Sequence, residues 1–295
     1  MKICLTEALF ALPQYLLPHH LLSRTMGVLT RSSNRLWKNA FIKWFVWHYR
    51  VDMSEAEQAD PTAYRNFNRF FTRALKGGVR PLSENPAAIV SPADGVVSQR
   101  GAITDGAIIQ AKGKSYGVAD LLGGNARQAE AFRGGRFATV YLSPRDYHRL
   151  HMPLAGRLEA MVHVPGRLFS VNAATTAVIP NLFARNERVI VFFETDAGPM
   201  ALVLVGALFV ASIETVWHGV VTPPKGRRIR TWRYQDDAPA LQRGEEMGRF
   251  NMGSTVIVLF GEQGVEWSDQ LAAGAAIKMG QPIGVMNTSG SSMSG

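Results

Sequence analysis

Phe250-Asn251-Met252-Gly253-Ser254-Thr255 runs directly into Val256-Ile257-Val258-Leu259-Phe260. A short, unbroken apolar run with β-branched members reads as a buried strand. A glycine, a serine and a threonine sit at its mouth. Upstream, similar short runs recur between Gly and Pro: Ala88–Val90, Gly95–Val97, Ala107–Ile109, Phe137–Leu142, Val189–Phe193, Ala201–Val205 and Val216–Val221. This spacing predicts a mainly β core.

The N-terminal part has a different pattern. Residues 5–50 read as helices, broken early by Pro13 and Pro18, with Ser32-Ser33-Asn34 as a cap for a later helix. Trp37, Phe41, Trp44, Phe45 and Trp47 alternate there with Arg35, Lys38, Lys43 and Arg50. A second helix is expected over 54–76, capped by Asp52 or Ser54 and ended by Gly77-Gly78. The fold class is therefore α+β: N-terminal amphipathic helices over 1–50, a mainly β catalytic core over 51–286, and a disordered Ser/Gly-rich tail over 287–295.

The chain has 295 residues, a hydrophobic share of 46%, one cysteine and a net charge of +9. Cys4 alone excludes a disulfide framework and a Cys-based zinc site. Lys2, Arg24, Arg31, Arg35, Lys38, Lys43 and Arg50 face only Glu7 in the first fifty positions. Such asymmetry points to an anionic surface, either nucleic acid or membrane. Tryptophans interleaved with basic residues favour the membrane headgroup zone; the plainer reading is a helix packed on its own domain with its basic face in water. The apolar run Met200–Ile213 falls short of the ~18 residues that a membrane span needs. Glu7, Pro13 and Gln14 interrupt any secretory leader.

Four clusters could carry chemistry. Ser91-Pro92-Ala93-Asp94-Gly95 is, taken alone, an ordinary Asp-Gly turn before a strand. Tyr141 through Pro153 holds His148 and His151, three apart. On a helical turn they would share a face, as a metal pair, as a base with a substrate-contacting group, or as a structural pair. Phe169-Ser170-Val171-Asn172 is the third cluster, and Gly253-Ser254-Thr255 the fourth. Together they supply a nucleophile, a base and an orienting carboxylate: Ser254, His151 and Asp94. Gly253 tolerates the backbone that attack by Ser254 on its carbonyl requires.

In this order the four clusters closely resemble phosphatidylserine decarboxylases of the bacterial membrane-associated type. Phe67-Asn68-Arg69-Phe70-Phe71-Thr72-Arg73, Leu75-Lys76 and Arg80-Pro81 also match, so the resemblance covers roughly 60–285. Met252 stands where that family often has Leu, a swap that roughly conserves volume. The resemblance implies a self-cleaving, pyruvoyl-dependent carboxy-lyase of phospholipid biosynthesis, with no metal. His151, oriented by Asp94, would deprotonate Ser254, which would attack Gly253. Autoendoproteolysis at Gly253-Ser254 would leave a β chain of 1–253 and an α chain of 254–295 as a heterodimer, with room for further dimerisation. The pyruvoyl group made from Ser254 would convert phosphatidylserine to phosphatidylethanolamine and CO₂ through a Schiff base. His148 is assigned a substrate-side role, on the carboxylate or on a proton. The expected location is peripheral, on an anionic membrane surface at the cytoplasmic face of the cell's inner membrane, with no nucleic-acid partner. A decarboxylase of free amino acids would need no amphipathic arm. A serine hydrolase lacks its Gly-x-Ser-x-Gly elbow here. A lipid- or nucleic-acid-binding protein would leave the Asp, His and Ser motifs unexplained.

Overall fold

The computed structural model describes residues 5–209, 212–223, 228–252, 255–262 and 264–287. Thr255–Phe260 is a strand, and all of its residues are buried. It lies inside a nine-stranded sheet, paired antiparallel with Arg136–Tyr141 on one side and Gly198–Val205 on the other. Strand geometry sends alternate side chains to opposite faces. Val256, Val258 and Phe260 enter one core with Val140 and Leu204. Ile257 and Leu259 enter a second core with Phe137 and Val203. Two covered faces explain why the run is continuously apolar rather than alternating.

A four-stranded sheet closes the first core. It contains Arg149–His151, Ser212–Thr215, Gly219–Val220 and Glu246–Asn251, and it contributes Leu150, Ile213, Met247 and Phe250. The second core is closed by short helical segments that supply Leu121, Leu182 and Phe183. The expected strands form, with one correction. Val216–Val221 is not a continuous strand: 216–218 make the turn between Ser212–Thr215 and Gly219–Val220.

The N-terminal arm is helical: α1 (Leu5–Ala11), a 3₁₀ turn at Leu12–Leu16, α2 (His19–Arg31) and α3 (Arg35–Tyr49). Proline fixes φ and lacks an N–H, so the breaks fall at Pro13 and Pro18. Asn34 caps α3 through Oδ1, which accepts from the backbone N–H groups of Leu36 and Trp37, each at 3.1 Å. The arm is fastened to the β core on one side. The Gln14 side chain donates to Thr175 Oγ1 (3.2 Å) and accepts from Ser170 N–H (2.9 Å). Leu168 N–H donates to His19 Nδ1 at 3.2 Å, and Tyr15 packs on Phe169 with ring centroids 5.0 Å apart. The Phe169–Asn172 motif therefore receives the arm, and Asn172 also caps the helix Ala173–Val178.

The expected helix over 54–76 does not form. Only α4 (Phe67–Phe71) is helical there, capped by Asn66. Pro61 sits in the middle of the stretch, and Asp60 turns its carboxylate onto Thr62 N–H at 2.8 Å, a local bond that competes with a helix. The two ends of the stretch instead pair with each other, at a bridge between Ala56 and Leu75. A third apolar cluster joins α3 to α4 through Ile42, Phe45, Phe67, Phe70 and Phe71. Of the tail, 288–295 lies outside the described residues.

Candidate active site

The chain crosses between the two sheets at one place that matters chemically. Asn251 ends a strand of the four-stranded sheet, and Thr255 begins the central strand of the nine-stranded sheet. Gly253 and Ser254 lie outside the described residues. Met252, just before them, has φ of 98°. An L side chain rarely adopts that backbone, and holding it costs about 1–3 kcal/mol, so the surroundings must enforce it. They do so from both sides. The Asn251 amide donates to Ser212 Oγ at 2.6 Å, and its Oδ1 accepts from Asn68 Nδ2 at 3.0 Å. The Met252 side chain packs against the α3–α4 cluster.

His148 lies alongside this crossover. Its backbone carbonyl accepts from Phe250 N–H at 3.0 Å. The ring is fully buried and stacks on Phe71 with centroids 4.0 Å apart. Nε2–H donates to the Ser143 carbonyl at 3.1 Å, which leaves Nδ1 buried and unpartnered among the described residues. Burial first, and then the Arg73 charge, push its pKa down to about 3, so the ring is neutral.

His151 has different partners. It lies in the strand Arg149–His151, so the two histidines are not on one helical turn. Nδ1–H donates to the Gly244 carbonyl at 2.8 Å, and Nε2 accepts from the Tyr147 hydroxyl at 3.0 Å. Burial lowers its pKa, so the lone pair of the neutral ring lies on Nε2. Asp94 makes no hydrogen bond to it. The Asp94 carboxylate accepts from Arg80 Nε (2.9 Å), Arg80 Nη2 (2.6 Å) and Met279 N–H (2.8 Å). The two residues are linked instead through backbone: His151 N–H donates to the Pro92 carbonyl at 2.9 Å. The Gly244 carbonyl therefore orients His151 in this chain, and Asp94 acts on it through space, favouring the charged ring. Gly95 is required beside Asp94 because a Cβ there would lie 2.3 Å from the Tyr141 carbonyl oxygen.

Arg80 also binds Glu55, at 2.6 Å, and holds that carboxyl down to about 2. Tyr147, Gly244 and Arg80 are functional neighbours that motif reading alone does not identify. Tyr147 and Arg80 stand inside stretches that match the family, whereas Gly244 has no local signal.

The site can do three things. It holds a strained backbone before a serine, it keeps two histidines neutral, and it places an anion beside one of them. Comparison with known proteins agrees in extent and order. A family model described as phosphatidylserine decarboxylase matches residues 67–285, and a second, described as PSD, matches 9–50. A phosphatidylserine decarboxylase proenzyme of Pseudomonas fluorescens is 60% identical over 282 residues, covering 95% of this chain and 98% of the relative. One from Ectopseudomonas mendocina is 58% identical over 281 residues, with coverage of 94% and 98%. One from Pseudomonas putida is 59% identical over 276 residues, with coverage of 92% and 96%. The chain therefore belongs to the phosphatidylserine decarboxylase family.

Proposed function

We propose that this chain is a proenzyme that cuts itself between Gly253 and Ser254 and then decarboxylates phosphatidylserine to phosphatidylethanolamine. The observation that carries this reading is the strained crossover at Met252, with the buried neutral His148 alongside it. Ser254 Oγ adds to the Gly253 carbonyl carbon, and the C–N bond breaks as the nitrogen takes up a proton. The resulting ester then loses the Ser254 α-proton, its Cβ–Oγ bond breaks, and the Gly253 carboxylate departs. Water then releases ammonia from the dehydroalanine, which leaves a pyruvoyl group on the α chain, 254–295, with 1–253 as the β chain. Attack on the adjacent carbonyl is intramolecular, so no second molecule has to be captured.

We assign His151 as the base for Ser254, Tyr147 as the hydroxyl through which Nε2 is reached, and Asp94 as the anion that stabilises the charged ring. A neutral His151 has its lone pair available at neutral pH, which a base requires. His148 keeps its substrate-side assignment. Its Nδ1, unpartnered among the described residues, carries the lone pair of the neutral ring and can take up a proton, while the buried Thr255 Oγ1 next to Ser254, likewise unpartnered there, can donate to a carbonyl oxygen. When formed, the pyruvoyl ketone supplies the electron sink for loss of CO₂. The protein's own task is to bury the reacting headgroup and keep both imidazoles neutral.

Residues 1–50 serve in this reading as the arm that docks on an anionic membrane at its cytoplasmic face, and 51–286 as the catalytic core. Leu16 (89% exposed), Leu36 (85%) and Trp47 (76%) present apolar surface from the arm. No helix among the described residues is long and apolar enough to cross a membrane.

The test is an intact mass before and after hydroxylamine, which captures ketones. Two chains divided between Gly253 and Ser254, with the carbonyl on the smaller, support the reading; one full-length chain without a carbonyl refutes it. Asp94→Asn and His151→Ala should each stay uncut, and cutting in both would remove those assignments. His148→Ala should cut but turn over poorly.

A further inference from the structure

Arg73 is buried, with 4% of its surface exposed. Its Nη2 donates to the Arg145 carbonyl at 3.0 Å. Its Nε and Nη1 have no partner among the described residues. A buried guanidinium with two unmatched N–H groups is costly unless something completes it. Burial accordingly draws its pKa below the usual arginine range.

Arg73 lines a cavity of about 590 Å³ between the end of α3 and the 143–147 loop. Arg50, which terminates α3, and Arg145 line it too. The carboxylates that face this cavity are already engaged. Asp94 and Glu55 are held by Arg80, Glu55 also by Lys278 at 2.9 Å, and Asp52 accepts from Ser54 N–H at 2.8 Å. Asp146 accepts from the Ser143 N–H and hydroxyl, each at 2.7 Å. Arg50, Arg73 and Arg145 make no ion pair among the described residues, so the cavity offers cationic donors to an anionic oxygen group. Arg50, on its lining, follows the exposed Trp47 of the arm by three positions, and the Arg73 charge reaches His148 and lowers its pKa.

We infer that Arg73 is the binding residue for the phosphodiester of the lipid substrate. This rests on the reading of the chain as a phosphatidylserine decarboxylase. The substrate carries two anionic oxygen groups, and chemistry separates them. The carboxylate must give up its charge as CO₂ leaves, so an ion pair to it would stabilise the ground state more than the transition state. The phosphodiester keeps its charge throughout, so a contact there binds the headgroup without opposing the reaction. Its Nε–H and Nη1–H lie on different sides of the guanidinium, and each can donate to an anionic phosphate oxygen.

The test compares Arg73→Gln and Arg73→Lys with the parent. Processed enzyme is assayed on phosphatidylserine and on O-octanoylserine, which keeps the amine and carboxylate but lacks the phosphodiester. The ratio of kcat/KM on the lipid to that on O-octanoylserine should fall at least tenfold in Arg73→Gln, through KM, and recover in part in Arg73→Lys. Binding of glycerophosphoserine to the uncut Ser254→Ala chain, by calorimetry, should weaken with Arg73→Lys, by less than the tenfold expected of Arg73→Gln. That arm needs neither cutting nor turnover and serves if Arg73→Gln misfolds. An unchanged ratio overturns the inference, as does unchanged binding. An equal loss on both substrates assigns Arg73 to the carboxylate and overturns it too. If the parent itself fails to cut, the functional reading fails instead, which is a separate result.

Discussion

The central strand Thr255–Phe260 and the N-terminal arm are both rich in apolar residues, yet they meet opposite fates. Each of the six strand residues is buried, with one core on each face of its sheet. In the arm, Ile42 and Phe45 are buried while Leu16, Leu36 and Trp47 remain at 89%, 85% and 76% exposure. Apolar content by itself does not decide burial; what matters is whether the chain can supply a second surface. The strand has one on each face. The arm has one side fastened through Gln14, His19 and Tyr15, and an apolar side for which the described residues provide no cover. Exposed patches of that kind mark an interaction surface.

The strongest way to separate the two regions is Ser254→Ala. It should abolish cutting and decarboxylation, read as a single full-length chain on a denaturing gel, while liposome binding stays at the parental level. Loss of liposome binding as well would mean that the regions are not independent.

Next in size is a cavity at the buried strand. Leu259→Ala should cost roughly 2–5 kcal/mol in denaturant unfolding. Leu36→Ala on the arm should cost under about 0.5 kcal/mol, as an exposed surface change usually does. Equal costs would break the comparison.

The reverse experiment is Leu16→Ser, Leu36→Ser and Trp47→Ser in one chain. Sedimentation with phosphatidylserine-containing liposomes should fall at least tenfold, with cutting intact and the melting temperature little changed. Undiminished sedimentation would locate docking elsewhere.

At neutral pH the smallest effect concerns His148, because it develops only on acidification. Its folded pKa of about 3 lies below the ordinary imidazole value of about 6.5. Between those values the unfolded chain holds a proton that the folded chain excludes. Acidification therefore favours unfolding, by ~1.4 kcal/mol per pH unit from this one group. His148→Phe, which keeps an aromatic ring on Phe71, should flatten melting temperature against pH over that window relative to the parent. An identical slope would show that the imidazole is not held neutral by burial.

The difference between the two histidines shows where motif reading stops. Tyr141–Pro153 is legible as a chemical motif, and His148 and His151 are visible within it. Their roles depend on groups far along the chain: Phe71 stacks on one, and Gly244 accepts from the other. Asp94 is likewise visible, but its engagement by Arg80 and Met279 is a three-dimensional fact. Pro61 is a local signal against a helix over 54–76, but the helical spacing of Phe67, Phe70 and Phe71 argues for one, and residue pattern alone does not rank the two.

By itself the sequence determined the strand runs, the proline-broken arm, the cap at Asn34 and the order of motifs that assigns the family. These follow from periodicity, backbone restriction and residue type, which act over a few positions. Only the tertiary structure decided which carbonyl orients His151, which charge holds Asp94, how Met252 is kept at positive φ, and that Arg73 is buried with free donors. Those outcomes depend on contacts between residues tens to hundreds of positions apart, and local pattern carries no record of which distant groups will meet.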